Sequence, residues 1–307
     1  MTEKQKLSHF IKQQAAELGF SACGIAKAEA VSVAVRKEYE NWIAQGAHGD
    51  MSYMARNLEK RVNPTLLVEG CRSIVVVAQN YYPRTTITPY ISRYAQGKDY
   101  HRIVKDKLFK LLEQINSHTP VKGRAFCDSA PVLERYWAVQ AGIGTCGRNR
   151  QLIIPGYGTH FFLGELFIDI ETEYDTPLKE NLCNNCNACI KSCPSGALSE
   201  KGLDARRCLS YLTIEHRGEL PPGTNLPDRC FYGCDRCQSA CPHNRMAPPH
   251  NEPQLDPTEE LLAMNSENWE NLTKETFDTL FKESAVQRCG YEQLMRNIKA
   301  SKISFAQ

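Results

Sequence analysis

The chain has 307 residues, 42% hydrophobic and 23% charged, with a formal net charge of +2. That length suits one large domain or two modest ones, and the apolar share supports a packed core, which excludes a disordered chain. The near balance of charge excludes a strongly basic field over the whole molecule, so any nucleic-acid contact must use a local patch.

Leu7, Phe10, Ile11, Ala15 and Leu18 recur at helical spacing, and Gly19 reads as the C-terminal cap of that helix. The first twenty residues lack the basic start and apolar run of an export signal. No stretch approaches the roughly 18 apolar residues of a membrane span, so a soluble, cytoplasmic protein is expected. A short strand is expected at 21–26. Residues 73–78 (SIVVVA) form a continuous β-branched run, the pattern of a strand buried on both faces. An amphipathic helix is expected at 99–117, a strand at 121–127, and a helix at 131–141 with proline in its first turn. The last strong strand is expected at 160–170 (HFFLGELFIDI).

After about residue 175 this alternating α/β pattern stops. Residues 181–245 are rich in Cys, Pro, Gly and Asn, as expected where metal replaces a hydrophobic core. Residues 248–257 (PPHNEPQLDP) read as an extended crossing, and the remainder, with Leu261, Leu262, Trp269, Phe277, Leu280 and Phe281, as helical. The expected organisation is an α/β unit at 1–175, a metal-binding unit at 176–247 and a helical segment at 248–307.

The chain has 14 cysteines. Cys23, Cys71, Cys127, Cys146 and Cys289 are scattered, while the rest lie between Cys183 and Cys241. A disulfide framework belongs to short secreted chains. Cys183, Cys186, Cys189 and Cys193-Pro194 instead reproduce the C-x2-C-x2-C-x3-C-P run of bacterial ferredoxins, which wraps three thiolates round one [4Fe-4S] cube and sends the fourth to another. Cys234, Cys237 and Cys241-Pro242 form the reciprocal run. The reciprocal rule joins Cys183, Cys186 and Cys189 to Cys241. It leaves Cys193, Cys234 and Cys237 one ligand short, with Cys208 and Cys230 as candidates between which spacing does not choose. Paired zinc sites are the bland alternative, although zinc rarely uses two four-cysteine sets with C-x3-C-P endings.

The front unit carries no G-x-G-x-x-G after a strand. Gly142, Gly144 and Gly147 match the letters but follow a helix and read as a turn. Asp128 stands where a strand gives way to a helix, as either a helix cap or an acid at a ligand-binding strand end. Asp99 reads as a cap, and Tyr100 beside it could donate a proton. His48, His160 and His216 each stand alone, without the pairing of metal ligands.

Taken in order, EKRVNP (59–64), GKDYH (97–101), CDSAPVLER (127–135), AGIGTCGRN (141–149), the first cysteine run, LDARRCLSYLTIE (203–215) and YGCDRCQSACPHN (232–244) closely resemble the epoxyqueuosine reductase family. The likeness runs to about residue 245, and weakly on to Leu294-Met295-Arg296-Asn297. It implies a cobalamin-binding α/β domain followed by a bacterial ferredoxin-like dicluster domain and a helical C-terminal segment. The activity implied is reduction of epoxyqueuosine to queuosine at the wobble position of tRNA, by cob(I)alamin that an external donor reduces through two [4Fe-4S] clusters. By the same resemblance Asp128 is the proton donor, with a pKa raised beside the corrin face. Arg61, Ser92, Leu152, Leu163, Ser210, Asp235 and Arg236 join Asp128 as cobalamin contacts. Cys208 becomes the eighth cluster ligand, which makes Cys230 a spare.

Many members of the family continue into a C-terminal pair of helical repeats that grip tRNA, and this chain stops at Gln307. The expectation is a short, monomeric form that holds tRNA with residues 250–307 and with Arg206, Arg207, Arg217 and Arg245. No D-x-H-x-x-G motif suggests a histidine in place of the cobalamin base. The competing readings are a corrinoid reductive dehalogenase, which would usually carry an export signal, and a dicluster electron-transfer subunit without catalysis of its own.

Overall fold

In the computed structural model, which describes residues 1–85, 87–227 and 229–301, the β-branched run becomes the middle of a sheet. Helix α1 (Glu3–Glu17) is opened by a capping box on Thr2 and closed by Gly19 at φ 85°. Strand β1 (Ala22–Lys27) follows, then β2 (Ser73–Asn80), helix α2 (Tyr100–His118), β3 (Gly123–Phe126), helix α3 (Glu134–Gln140) and β4 (Phe161–Ile168). The sheet order is β1-β2-β4-β3, antiparallel at every pairing.

Every residue of β2 is buried, as its composition suggests, because helices cover both faces of the sheet. Val75 and Val77 pack with Leu7, Ile11, Val104, Leu108 and Leu166 under α1 and α2. Ile74, Val76 and Ala78 pack with Trp137, Ala138, Leu163 and Phe167 under α3. Asp99 caps α2, its side chain accepting from the His101 N–H.

The expected helix at 131–141 begins only at Glu134, with Leu133 as its N-cap. Pro131 is outside its first turn, because the chain leaves β3 through a left-handed residue, Asp128 at φ 49°, and a tight turn in which the Val132 N–H bonds the Ala130 carbonyl. Asp128 therefore does not cap this helix. Gly142 takes φ 70° just after α3, and Thr145–Cys146 then pairs with Leu152–Ile153, so the G-x-G-x-x-G letters form a turn and a small hairpin.

Beyond the sheet, helix α4 (Leu209–Ile214) and the cysteine loops share an apolar cluster containing Leu209, Leu212, Leu226 and Cys230. The C-terminal segment ends in helix α5 (Gly290–Ala300). It packs Trp269, Phe277, Phe281, Leu294 and Ile298 against Tyr90, Ile91, Phe231 and Tyr232, which draws front, cysteine-rich and tail residues into one core. No helix among the described residues is long and apolar enough to cross a membrane.

Candidate functional site

Asp128 stands just beyond the end of β3 with its side chain 62% exposed. A left-handed backbone at a residue other than glycine costs roughly 1 kcal/mol, least for Asn and Asp, so neighbours must hold it there. Tyr100 Oη donates to Asp128 Oδ2 at 2.6 Å, and the Asp128 N–H donates to Glu134 Oε1 at 2.5 Å. The Tyr100 ring is itself fixed, stacked on Phe162 with centroids 4.1 Å apart. His101 Nε2 lies 3.8 Å from Asp128 Oδ2. GKDYH and CDSAPVLER, far apart in sequence, thus meet at one carboxyl group.

Two further acids lie behind it. Burial, then the Asp128 carboxylate, pushes Glu134 up to about 8. Glu165, in the middle of β4 and opposite Phe126, is fully buried, and neither of its carboxyl oxygens has a hydrogen-bond partner. Burial, then Glu134 and Asp128, raises it well above the ordinary carboxylate range. Neither residue is marked as a site residue by motif or spacing. The available signal was one acid inside an otherwise apolar strand.

The residues expected to touch cobalamin fall into two groups. Leu152 and Leu163 share the apolar cluster under α3 with Val62, next to buried Arg61. Arg61 donates from Nη2 to the Tyr53 carbonyl at 3.1 Å, and its Nε is buried without a partner. On the other side, Ser92 Oγ donates to Asp235 Oδ1 at 2.5 Å and the Arg93 N–H to Asp235 Oδ2 at 2.8 Å, which pins the second cysteine run to the front unit. Ser210 lies on α4, two residues after Cys208, and Arg236 follows Asp235 in an exposed position.

Cys183, Cys186, Cys189 and Cys241 line one recess together with Arg148, Ile153, Leu182 and His243. Four thiols along one recess match in number the irons of one cube. The Arg148 N–H donates to Cys183 Sγ at 3.4 Å, a contact from the AGIGTCGRN loop that spacing did not reveal. In the second set, Cys208 lies close enough to Cys234 and Cys193 to feel their charge, and Cys237 is close to Cys234 and Cys208. Burial raises the Cys208 thiol and pushes Cys237 up to about 12. Cys230 also adjoins Cys234, bringing its thiol down to about 7 through their hydrogen bond, and Cys230 Sγ lies 3.2 Å from the Gly233 carbonyl oxygen.

Of the basic residues expected at a tRNA surface, Arg217 turns inward, donating to the Cys289 and Arg288 carbonyls and to Gln293. Arg206 pairs with Asp204 at 2.8 Å, and Arg207 and Arg245 are exposed. The lone histidines are structural: His160 is buried between the rings of Tyr81 and Tyr82, His48 packs on Trp42, and His216 bonds Asp50.

A family profile described as "Epoxyqueuosine reductase QueG, DUF1730" matches residues 61–129, and a "4Fe-4S double cluster binding domain" matches 182–244. The epoxyqueuosine reductase of Leadbetterella byssophila is 42% identical over 293 residues, 94% of this chain and 96% of that protein. A crystal structure of epoxyqueuosine reductase with an epoxyqueuosine-modified tRNA-Tyr stem loop superposes with a TM-score of 0.86 at 27% identity, covering 95% of this chain and 80% of that one. The Bacillus subtilis reductase, captured with its catalytic aspartate loop swung out of the active site, gives 0.85 at 27% identity over the same shares. With its two matching profiles and full-length likeness to these enzymes, the chain belongs to the epoxyqueuosine reductase family.

Proposed function

We propose that this oxidoreductase works on epoxyqueuosine at the wobble position of a cytoplasmic tRNA with a corrinoid, cobalamin, as its resident cofactor, and that Asp128 donates a proton to the epoxide oxygen. The observation that carries the reading is the meeting of Tyr100, Asp128 and Glu134 at one exposed carboxyl group, in a chain alike over 95% of its length to a reductase holding a modified tRNA stem loop. The residues present fit a corrinoid. Leu152 and Leu163 offer an apolar wall, and the buried Arg61 Nε is a donor with no partner of its own, suited to an amide or phosphate oxygen. Ser92, Ser210, Asp235 and Arg236 would complete the holding set, with residues 1–175 carrying the cofactor and 176–247 the clusters.

When bound, the corrinoid supplies a strongly reducing cobalt centre to open the epoxide. The clusters supply electrons one at a time from an external donor. In this reading Cys183, Cys186, Cys189 and Cys241 hold one cluster, and Cys193, Cys208, Cys234 and Cys237 the other. The net change takes two electrons and two protons, converts the epoxide to an alkene and releases its oxygen as water. In this reading Asp128 delivers the proton, and the Tyr100 phenol, donating to Oδ2, keeps the carboxyl group in place. A splayed anticodon loop is recognised by shape and stacking over a local patch, which suits a net charge of +2.

The test is anaerobic turnover of tRNA carrying epoxyqueuosine with cobalamin and a strong reductant, read by nucleoside analysis. The wild type should yield queuosine, and Asp128→Asn, equal in shape but without the acidic proton, should lose most of that rate. Undiminished turnover by the variant would remove Asp128 from the role, and a wild type that bound no corrinoid would remove the cofactor.

A further inference from the structure

We propose that Glu134 is the positioning residue of this site, its carboxyl latching the Asp128 loop through the backbone N–H of Asp128. The proposal rests on the reading of Asp128 as proton donor, but its central contact is a separate observation. Asp128 sits in a left-handed conformation, so the loop needs restraint. Among the described residues, Tyr100 and Glu134 make hydrogen bonds to Asp128 itself. The Tyr100 bond is made to the carboxyl group that must give up and regain a proton, so it changes character during turnover. The Glu134 bond is made to the main chain, and it holds the loop whichever form the Asp128 side chain is in. Glu134 is also well anchored for this task, since it opens α3, whose Trp137 and Ala138 are buried against the sheet. That such a loop can leave its site is seen in the Bacillus subtilis relative, whose catalytic aspartate loop is swung out.

The charges around Glu134 give the latch a pH dependence. Asp128 faces it from the loop and raises it, Arg135 on its own helix and Arg61 from Leu58–Val62 lower it, and it in turn raises Glu165 on β4. A neutral Glu134 still accepts the N–H through its carbonyl oxygen without repelling an Asp128 carboxylate. As pH rises through about 8, Glu134 becomes an anion beside another anion, and the loop is pushed off.

The test is amide hydrogen exchange of the peptide spanning 127–133 in the intact, cluster-loaded enzyme, with wild type and variants compared at equal pH, alongside kcat and KM. At pH 7, Glu134→Leu should raise exchange in this peptide about tenfold or more and lower kcat with little change in KM. Glu134→Gln, which keeps an acceptor oxygen and cannot ionise, should stay protected at pH 7 and keep that protection at pH 9, where the wild type loses it. A Glu134→Leu protein as protected as wild type would overturn the latch, and so would a Glu134→Gln protein that lost protection at pH 9 as the wild type does. If Asp128→Asn turned over normally, the proton-donor reading would fall while these exchange rates still decided the latch.

Discussion

Replacing the two candidate eighth ligands one at a time separates a cluster ligand from its neighbour. Cys208 sits within electrostatic reach of Cys193 and Cys234, and Cys237 in turn feels Cys208. Cys230 packs in the same cluster as Cys208 and Cys234, with its Sγ within hydrogen-bond reach of the Gly233 carbonyl. Cys208→Ser should therefore leave the second cube short of a thiolate, and iron should fall from about eight per chain towards about four, with matching loss of sulfide. Cys230→Ser keeps a donor for the Gly233 carbonyl in a site only 8% exposed, so it should cost within about 1 kcal/mol and leave iron near eight. Both proteins would be purified without oxygen and assayed for iron, acid-labile sulfide and the spin signal of the reduced clusters. Full iron in Cys208→Ser together with half iron in Cys230→Ser would refute the assignment.

An ideal Cβ on Gly97 would stand 2.4 Å from the Leu255 carbonyl carbon, where the Lys98 N–H also bonds the Gln254 carbonyl. Gly97→Ala should force the 253–255 segment away, lower Tm by about 5 °C and slow turnover through the displaced Tyr100; an unchanged Tm would count against this packing. Glu134 and Glu165 both hold protons more tightly folded than unfolded. The stability this brings is fully present below the ordinary carboxylate pKa and is lost as pH rises through the folded value, about 8 for Glu134. Glu165→Gln removes one of the two acids, so its melting temperature should fall less than that of the wild type between pH 7 and pH 9, by a few degrees in a thermal scan; parallel curves would contradict it.

The elements legible in the sequence were those whose periodicity serves a large core. The spacing of Leu7, Ile11 and Ala15 marks α1, and the run from Ser73 marks β2, because burial dictates both patterns. Strand direction was hidden, since a β-branched run reports burial on two faces and says nothing of its neighbours' polarity. The start of α3 was misplaced because proline usually opens helices, whereas here a left-handed Asp128 and a turn intervene before Glu134. The first cysteine run announced its cluster through local spacing. Spacing leaves Cys208 and Cys230 open because both come beside Cys234 only once α4 and the stretch from Leu226 pack together. Likewise Glu134 and Glu165 meet only once β3 and β4 pair.

Helix α5 reaches back over the cysteine-rich unit. Asn297 Nδ2 donates to the Thr213 and Phe231 carbonyls at 2.8 Å, and Arg296 Nη2 to the Leu212 carbonyl at 2.7 Å. These bonds close the end of the helix that begins just after Cys208 and fasten the strand-like stretch that leads to Cys234. A chain emerging from the ribosome cannot make them until residue 297 has been synthesised and released from the exit tunnel. The fold around Cys208 and Cys234 is thus fastened by a segment made well after both cysteines, so a chain cut before Arg296 would lack all three of these bonds.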